Sequence, residues 1–391
     1  MKLAVIGLGQ CGGRVADEFA RLGIRARMQR NIEIITGAFA VNTDIADLSG
    51  LATIKSDYRY RILIGGQRTS GHGVGKVNEL GAEIAREDSD KVIDAIRTTE
   101  RFAETDAILV IAGSAGGTGS GAIATITQRL KERYLEKPVY NLIVLPFQHE
   151  EEIEGRTIYN SATCLKSAYL VADAVFLVDN QRYISKDFSL RHNLSQINAL
   201  IVEPFYNLLC AGEEKKPQYI GSRILDAGDI IQTISGWTVI GFGKSQTSRS
   251  KNPFERKRDF RDKASETQKG VQAMREAIGE LSIQCNPAEA NRGLYLVSGP
   301  PEEMDMNQIT ELGTYLKGVA PEAVIRTGDY PREKGVLNVT VILSEFSAVR
   351  KVMGYFSKTI ELISAISKKK GIEYERKGIE DTFTDIPSLL K

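Results

Sequence analysis

The chain has 391 residues, 42% of them apolar and 26% charged, and its 51 basic and 50 acidic side chains leave a formal charge of +1. That length exceeds a usual single core and implies two domains, while the charge balance gives no electrostatic reason to expect nucleic acid or an anionic membrane as the main ligand. Four scattered cysteines without a CxxC and three histidines without ligand spacing point to a reducing cytoplasm and no metal centre, and no run reaches the roughly 18 apolar residues of a membrane span.

The opening apolar run is broken by glycines and Gln10 before a signal-peptide core forms. Through the first half, short apolar runs alternate with longer helical patterns, which predicts a parallel sheet covered by helices. Residues 2–6, 36–41, 107–111, 139–145 and 174–178 read as its strands, and the turns after them would build a ligand site at the carboxyl edge. After the first strand, Gly7, Gly9 and Gly12 match GxGxxG and lead into a helix carrying Val15, Phe19 and Leu22. That loop alone also permits a nicotinamide-dependent Rossmann oxidoreductase, which should show an acid at the end of the second strand. The second strand ends instead in Asn42, Thr43, Asp44, with an amide leading.

After the third of these runs, within the apolar stretch 106–111, comes AGSAGGTGSGA at 112–122. Consecutive glycines let several N–H groups converge on an anion, and a helix starting near Ser120 adds its positive end. Thr118 and Ser120 add hydroxyls, so two glycine loops at strand ends suggest one ligand with several phosphates. An oxidoreductase would leave this second loop unexplained. Gly75-Lys76 and Gly243-Lys244-Ser245 are not P-loops, because Ser70 and Thr238 stand where the first glycine belongs.

Residues 190–210 read as one long apolar helix, a central strut. Runs at 237–242, 294–297 and 337–343 suggest a smaller α+β domain, 245–263 reads as an exposed polar loop, and the chain closes in DIPSLLK.

GGTGSG on a strand-to-helix turn, together with GQCGG in the first loop, resembles the tubulin and FtsZ superfamily of polymerising GTPases, with the archaeal tubulin-like group called CetZ as the nearest match. The resemblance implies an α/β fold: a Rossmann-like GTPase domain over 1–188, a central helix over 189–212, a smaller α+β assembly domain over 213–366 and a polar tail over 367–391. It implies GTP or GDP as ligand, with Mg²⁺ held mainly by the phosphates. Gly9, Gln10, Cys11, Gly12, Gly13 and Arg14 would form the first phosphate loop, and Gly116, Gly117, Thr118, Gly119, Ser120 and Gly121 the second, with Ala115 in place of a first glycine. Asn42 and Asp44 match the turn after the second strand, Glu154 the acid that reaches the ribose, and Asn180 and Asn198 the amides that read the base.

Asp226 and Asp229 match the two acids that act on the neighbouring subunit's nucleotide, where they would orient an attacking water. On spacing alone they equally form an N-cap pair. Ile224 stands where the family has an asparagine. Thr69 to Gly75 occupies the place of the γ-phosphate-sensing loop, with His72 as its titratable group. Arg249, Lys251, Arg256, Lys257 and Arg258 in the polar loop would govern lateral contacts. The expected partner is the chain itself, in head-to-tail filaments concerned with cell shape, or a division ring as the alternative. An envelope or regulatory protein would dock on the tail peptide.

Overall fold

The apolar runs of the first half fold as strands with both faces covered. The computed structural model describes residues 1–184, 190–245, 260–332, 336–369 and 385–390, which fall into two units, Lys2–Glu203 with Ala348–Lys391 and Pro204–Ser347 with Met1.

In the first unit β1 (Leu3–Leu8), β2 (Ile35–Asn42), β3 (Arg61–Leu63), β4 (Ala107–Gly113), β5 (Val139–Leu145) and β6 (Ala174–Asp179) run in the order β3-β2-β1-β4-β5-β6. Every pairing among them is parallel. β1, β5 and β6 are buried along their whole length, as strands covered by helices on both faces must be. The helices are α1 (Gly9–Arg30), α2 (Ile45–Ser49), α3 (Gly66–Thr69), α4 (Asn78–Glu87), α5 (Ser89–Arg97), α6 (Thr118–Arg133), α7 (Gln148–Ile153), α8 (Gly155–Val171) and α9 (Leu190–Val202). α1 and α6 each start directly at a glycine loop, so both helix N-termini open at the carboxyl edge of the sheet.

The strut expected as one helix over 190–210 is two. α9 ends at Val202, Glu203 and Pro204 form a turn, and α10 (Phe205–Ala211) follows. Pro204 has no N–H for a helical bond back to Leu200, and its ring crowds that carbonyl.

In the second unit α11 (Ala227–Thr233), β7 (Gly236–Lys244), α12 (Phe260–Gly279), β8 (Ala290–Gly299), α13 (Met306–Val319), β9 (Val324–Pro331) and β10 (Asn338–Phe346) follow. The strand order is β7-β10-β8-β9, antiparallel at both edges of β10 and parallel between β8 and β9. α12 lies so close to β7 that a Cβ on Gly241 or Gly243 would come within 2.0 Å of the carbonyl oxygens of Ala277 or Ala273. The final helix, α14 (Arg350–Lys369), packs on α8 and so belongs to the first unit, although the sequence reading gave residues up to 366 to the second. Among the described residues no helix is long and apolar enough to cross a membrane. The basic loop residues Arg249, Lys251, Arg256, Lys257 and Arg258 lie outside the described residues.

Candidate active site

The two glycine loops meet. Gly9 opens α1 at φ +69°, a conformation that favours glycine, and a Cβ there would sit 2.9 Å from the Gly119 nitrogen at the start of α6. They form one wall of a cavity of about 430 Å³ within the first unit. Of the residues expected there, Gly9, Gln10, Cys11, Arg14, Asn42, Asp44, Gly116, Gly117, Thr118, Gly119, Asn180 and Asn198 line it. Asn180 opens the turn after β6, and Asn198 comes from α9.

Four expected residues stand behind this wall instead. A Cβ on Gly12 would lie 2.1 Å from the Ile111 carbonyl oxygen, so Gly12 lets α1 press on β4. Gly121 does the same between α6 and α4, 2.1 Å from the Asn78 carbonyl oxygen. Gly13 is buried beneath Ala40, and Ser120 is buried with its hydroxyl donating to the Gly116 carbonyl. Glu154 does not line the cavity either. Its carboxylate takes the Lys76 ammonium at 2.6 Å, and the acid that this segment brings to the wall is Glu150. His72 is exposed and pairs through its backbone with Asp44, while Gly73, Val74 and Lys76 of the same loop line the cavity.

Three carboxylates stand in the lining, and each is already an acceptor. Asp44 Oδ1 caps α2, taking the N–H of Ala46 at 2.8 Å and of Asp47 at 3.1 Å. Asp47 accepts from Gln10 Nε2 at 2.6 Å and from Asn42 Nδ2 at 3.1 Å, which ties the two strand-end loops together. Glu150 accepts the Phe147 N–H at 2.9 Å. The Thr43 and Thr118 hydroxyls meet at 2.6 Å. Desolvation, reinforced by Glu150 and opposed by Arg14, pushes the Cys11 thiol up to about 12, so at neutral pH it is an uncharged wall atom.

Sequence reasoning missed the brace behind the second loop. Asn160, fully buried on α8, directs its Nδ2 at the carbonyls of Lys76 (2.9 Å), Ala115 (3.1 Å) and Gly116 (3.1 Å). With those carbonyls held from behind, the loop's N–H groups are left for the cavity side. No local pattern marks Asn160 in the sequence, where Tyr159 and Ser161 flank it in a mixed polar and apolar helix.

The two expected acids lie in the second unit. Asp226 is the N-cap of α11, its Oδ1 accepting the Asp229 N–H at 2.9 Å, and it is exposed. Asp229 pairs with Arg326 Nε of β9 at 3.2 Å. The loop before them is fixed to the same strand: Asp329 accepts the N–H groups of Ser222 at 2.9 Å and Arg223 at 2.6 Å. Ile224 is 55% exposed between these anchors.

Known proteins resemble both halves of the chain. Residues 2–186 match the GTPase domain of the Tubulin/FtsZ family, and residues 187–361 match the C-terminal domain of tubulin-like CetZ. The chain is 36% identical to the tubulin-like protein CetZ1 of Haloferax volcanii, over 85% of this chain and 84% of that protein. The GDP-bound monomer structure of that CetZ1 superposes with a TM-score of 0.79 at 31% identity, covering 93% of this chain and all of the other. The GTPγS-bound protofilament of CetZ2 from the same organism gives 0.80 at 27% identity, covering 94% of this chain and 100% of that one. With both halves matched in order and a CetZ relative 36% identical over 85% of its length, the chain belongs to the CetZ group of the tubulin/FtsZ family.

Proposed function

We propose that the chain binds and hydrolyses GTP, assembles head to tail into protofilaments in which Asp226 and Asp229 complete the pocket of the next subunit, and works in the control of cell shape. The observation that carries this is the convergence of two glycine loops on one cavity that Asn180 and Asn198 also line. The GTPase-domain match sets aside the oxidoreductase that GLGQCG alone would permit.

The residues fit a nucleoside polyphosphate. The N–H groups of the two loops, with the starts of α1 and α6 behind them, offer donors and positive helix ends to phosphate oxygens. Arg14 and Lys76 add cationic charge to the lining. The amides of Asn180 and Asn198 each supply a donor and an acceptor for a purine edge. Mg²⁺, carried by the phosphates, would neutralise part of their charge. Among the described residues no group of three His, Cys, Asp or Glu side chains stands ready to hold a metal ion.

Within the lining each carboxylate already accepts structural hydrogen bonds, as described, which favours an acid supplied from elsewhere. Asp226 is exposed on a different unit, and an acid brought in by a second subunit meets the phosphates only after assembly. That separation avoids charge repulsion in the free subunit and makes hydrolysis a readout of polymerisation. Asp229 would be held in place by Arg326.

The deciding experiment measures GTPase rate per subunit across protein concentrations, with light scattering followed in the same cuvette. The expected rate is near zero below a threshold and rises with scattering, and Asp226→Ala abolishes turnover while sparing assembly. A rate per subunit independent of concentration overturns the shared-site mechanism.

A further inference from the structure

The tail peptide expected to recruit other proteins is bound to its own chain. Ile386 and Leu389 are 1% and 6% exposed. Lys166 of α8, itself 7% exposed, donates its ammonium to the Ile386 carbonyl. The Leu389 N–H donates to the Oγ of fully buried Ser167 at 2.9 Å, and Arg86 of α4 reaches the Leu389 carbonyl at 3.3 Å. Ser388 Oγ accepts the Leu390 N–H at 3.2 Å, which curls the segment so that Ile386 and Leu389 point to the same side while Pro387 stays exposed. The seat is itself one piece, because Asn78 Nδ2 of α4 donates to Thr163 Oγ1 of α8 at 2.8 Å.

Apolar contact alone would bury two aliphatic side chains. It would not place backbone N–H and C=O groups on polar side chains that are themselves buried. Peptide-recognition sites combine both features: pockets for alternate side chains and fixed partners for the peptide's main chain. Lys166 and Ser167 are costly to bury, and the segment's backbone is a partner that offsets that cost.

We propose that the face formed by α4 and α8 is a peptide-recognition site whose occupant is this chain's own Asp385–Leu390 segment, and that an external protein reading the segment must first draw it off. Covalent attachment gives the segment an effective concentration of about millimolar at its site. An outside reader of DIPSLL therefore competes with the chain itself, and the same residues cannot serve both. The docked peptide is a closed state of the tail.

The test keeps the chain at full length. Substituting Ile386→Ser and Leu389→Ser together releases the tail without touching α4 or α8. A fluorescent peptide of residues 385–391 is then titrated against both proteins and followed by anisotropy. The expected result is saturable binding to the doubly substituted chain, about tenfold or more weaker binding to the unaltered chain whose site is filled, and loss of binding when the peptide carries Leu389→Ala. Hydrogen exchange at the α8 amides around Lys166 should rise in the substituted chain and fall again with added peptide. Equal affinity for both chains, or no binding to the substituted chain while its circular dichroism matches the parent, overturns the proposal. Neither readout depends on nucleotide, so failure here leaves the GTPase reading standing.

Discussion

Asp329 is 5% exposed, and both of its carboxylate oxygens accept N–H groups from the loop that leads to Asp226. The clamp is reinforced by the Asp329 N–H, which donates to the Arg223 carbonyl at 3.0 Å, and by Gly221, where a Cβ would come within 2.0 Å of the Asp329 carbonyl oxygen. Asp329, on β9, thus has the geometry of a positioning residue, since the donors it holds, Ser222 and Arg223, stand four and three positions before the N-cap of α11. Asp329→Ala leaves two part-buried donors without their acceptor, at a cost of about 2 kcal/mol in local stability. The expected outcome is a GTP turnover lowered about tenfold or more with GDP affinity unchanged, since the nucleotide cavity lies in the other unit. Asp329→Asn, which keeps one acceptor oxygen, should recover part of the rate. Equal losses in turnover and affinity, or no loss in either, would refute the positioning role.

At the scale of elements, two side chains bind much of the backbone of the segment between α2 and β3. Asp17 of α1 accepts the N–H groups of Ala52, Thr53 and Ile54 at 3.1, 2.8 and 2.7 Å, and Arg61 of β3 donates to the carbonyls of Leu48 at 3.0 Å and Leu51 at 2.9 Å. Asp17→Ala should lower the unfolding free energy by about 2–3 kcal/mol in denaturant titrations, because three backbone donors lose a charged acceptor. A change under about 0.5 kcal/mol would show that water replaces it. The same elements mark how far sequence reading reaches. β1, β4, β5 and β6 were legible because a strand covered on both faces must be a continuous apolar run. β3 and β9 were missed: each ends its unit's strand order, β3 has three residues, and β9 carries Arg326 and Asp329 on a half-exposed stretch. The break at Pro204 was readable in principle, since proline denies a helix both a donor and space. The glycine loops were legible because backbone geometry dictates residue type there. Asn160 and Asp47 were not, because they act only through neighbours that tertiary packing brings to them.

For the molecule as a polymer unit, what matters is which chain supplies each half of the reaction. In the proposed head-to-tail filament the contact is heterologous, so one subunit would offer its pocket while its neighbour would offer the α11 acids. This predicts complementation between two inactive proteins. Asp226→Ala retains an intact pocket and lacks an acid. Gly117→Val has both acids but a blocked phosphate loop, since even a Cβ at Gly117 would lie 2.5 Å from Val74 Cγ2. In an equimolar copolymer about a quarter of the junctions, on random mixing, pair an intact pocket with an intact acid pair. Turnover in the mixture should therefore rise to roughly a quarter of the unaltered protein's rate, while each protein alone stays near zero. Co-sedimentation of the two tagged chains establishes that mixed filaments form. Mixed filaments with no gain in turnover would mean that Asp226 serves the pocket of its own chain, and the neighbour's acids would then have no part in hydrolysis.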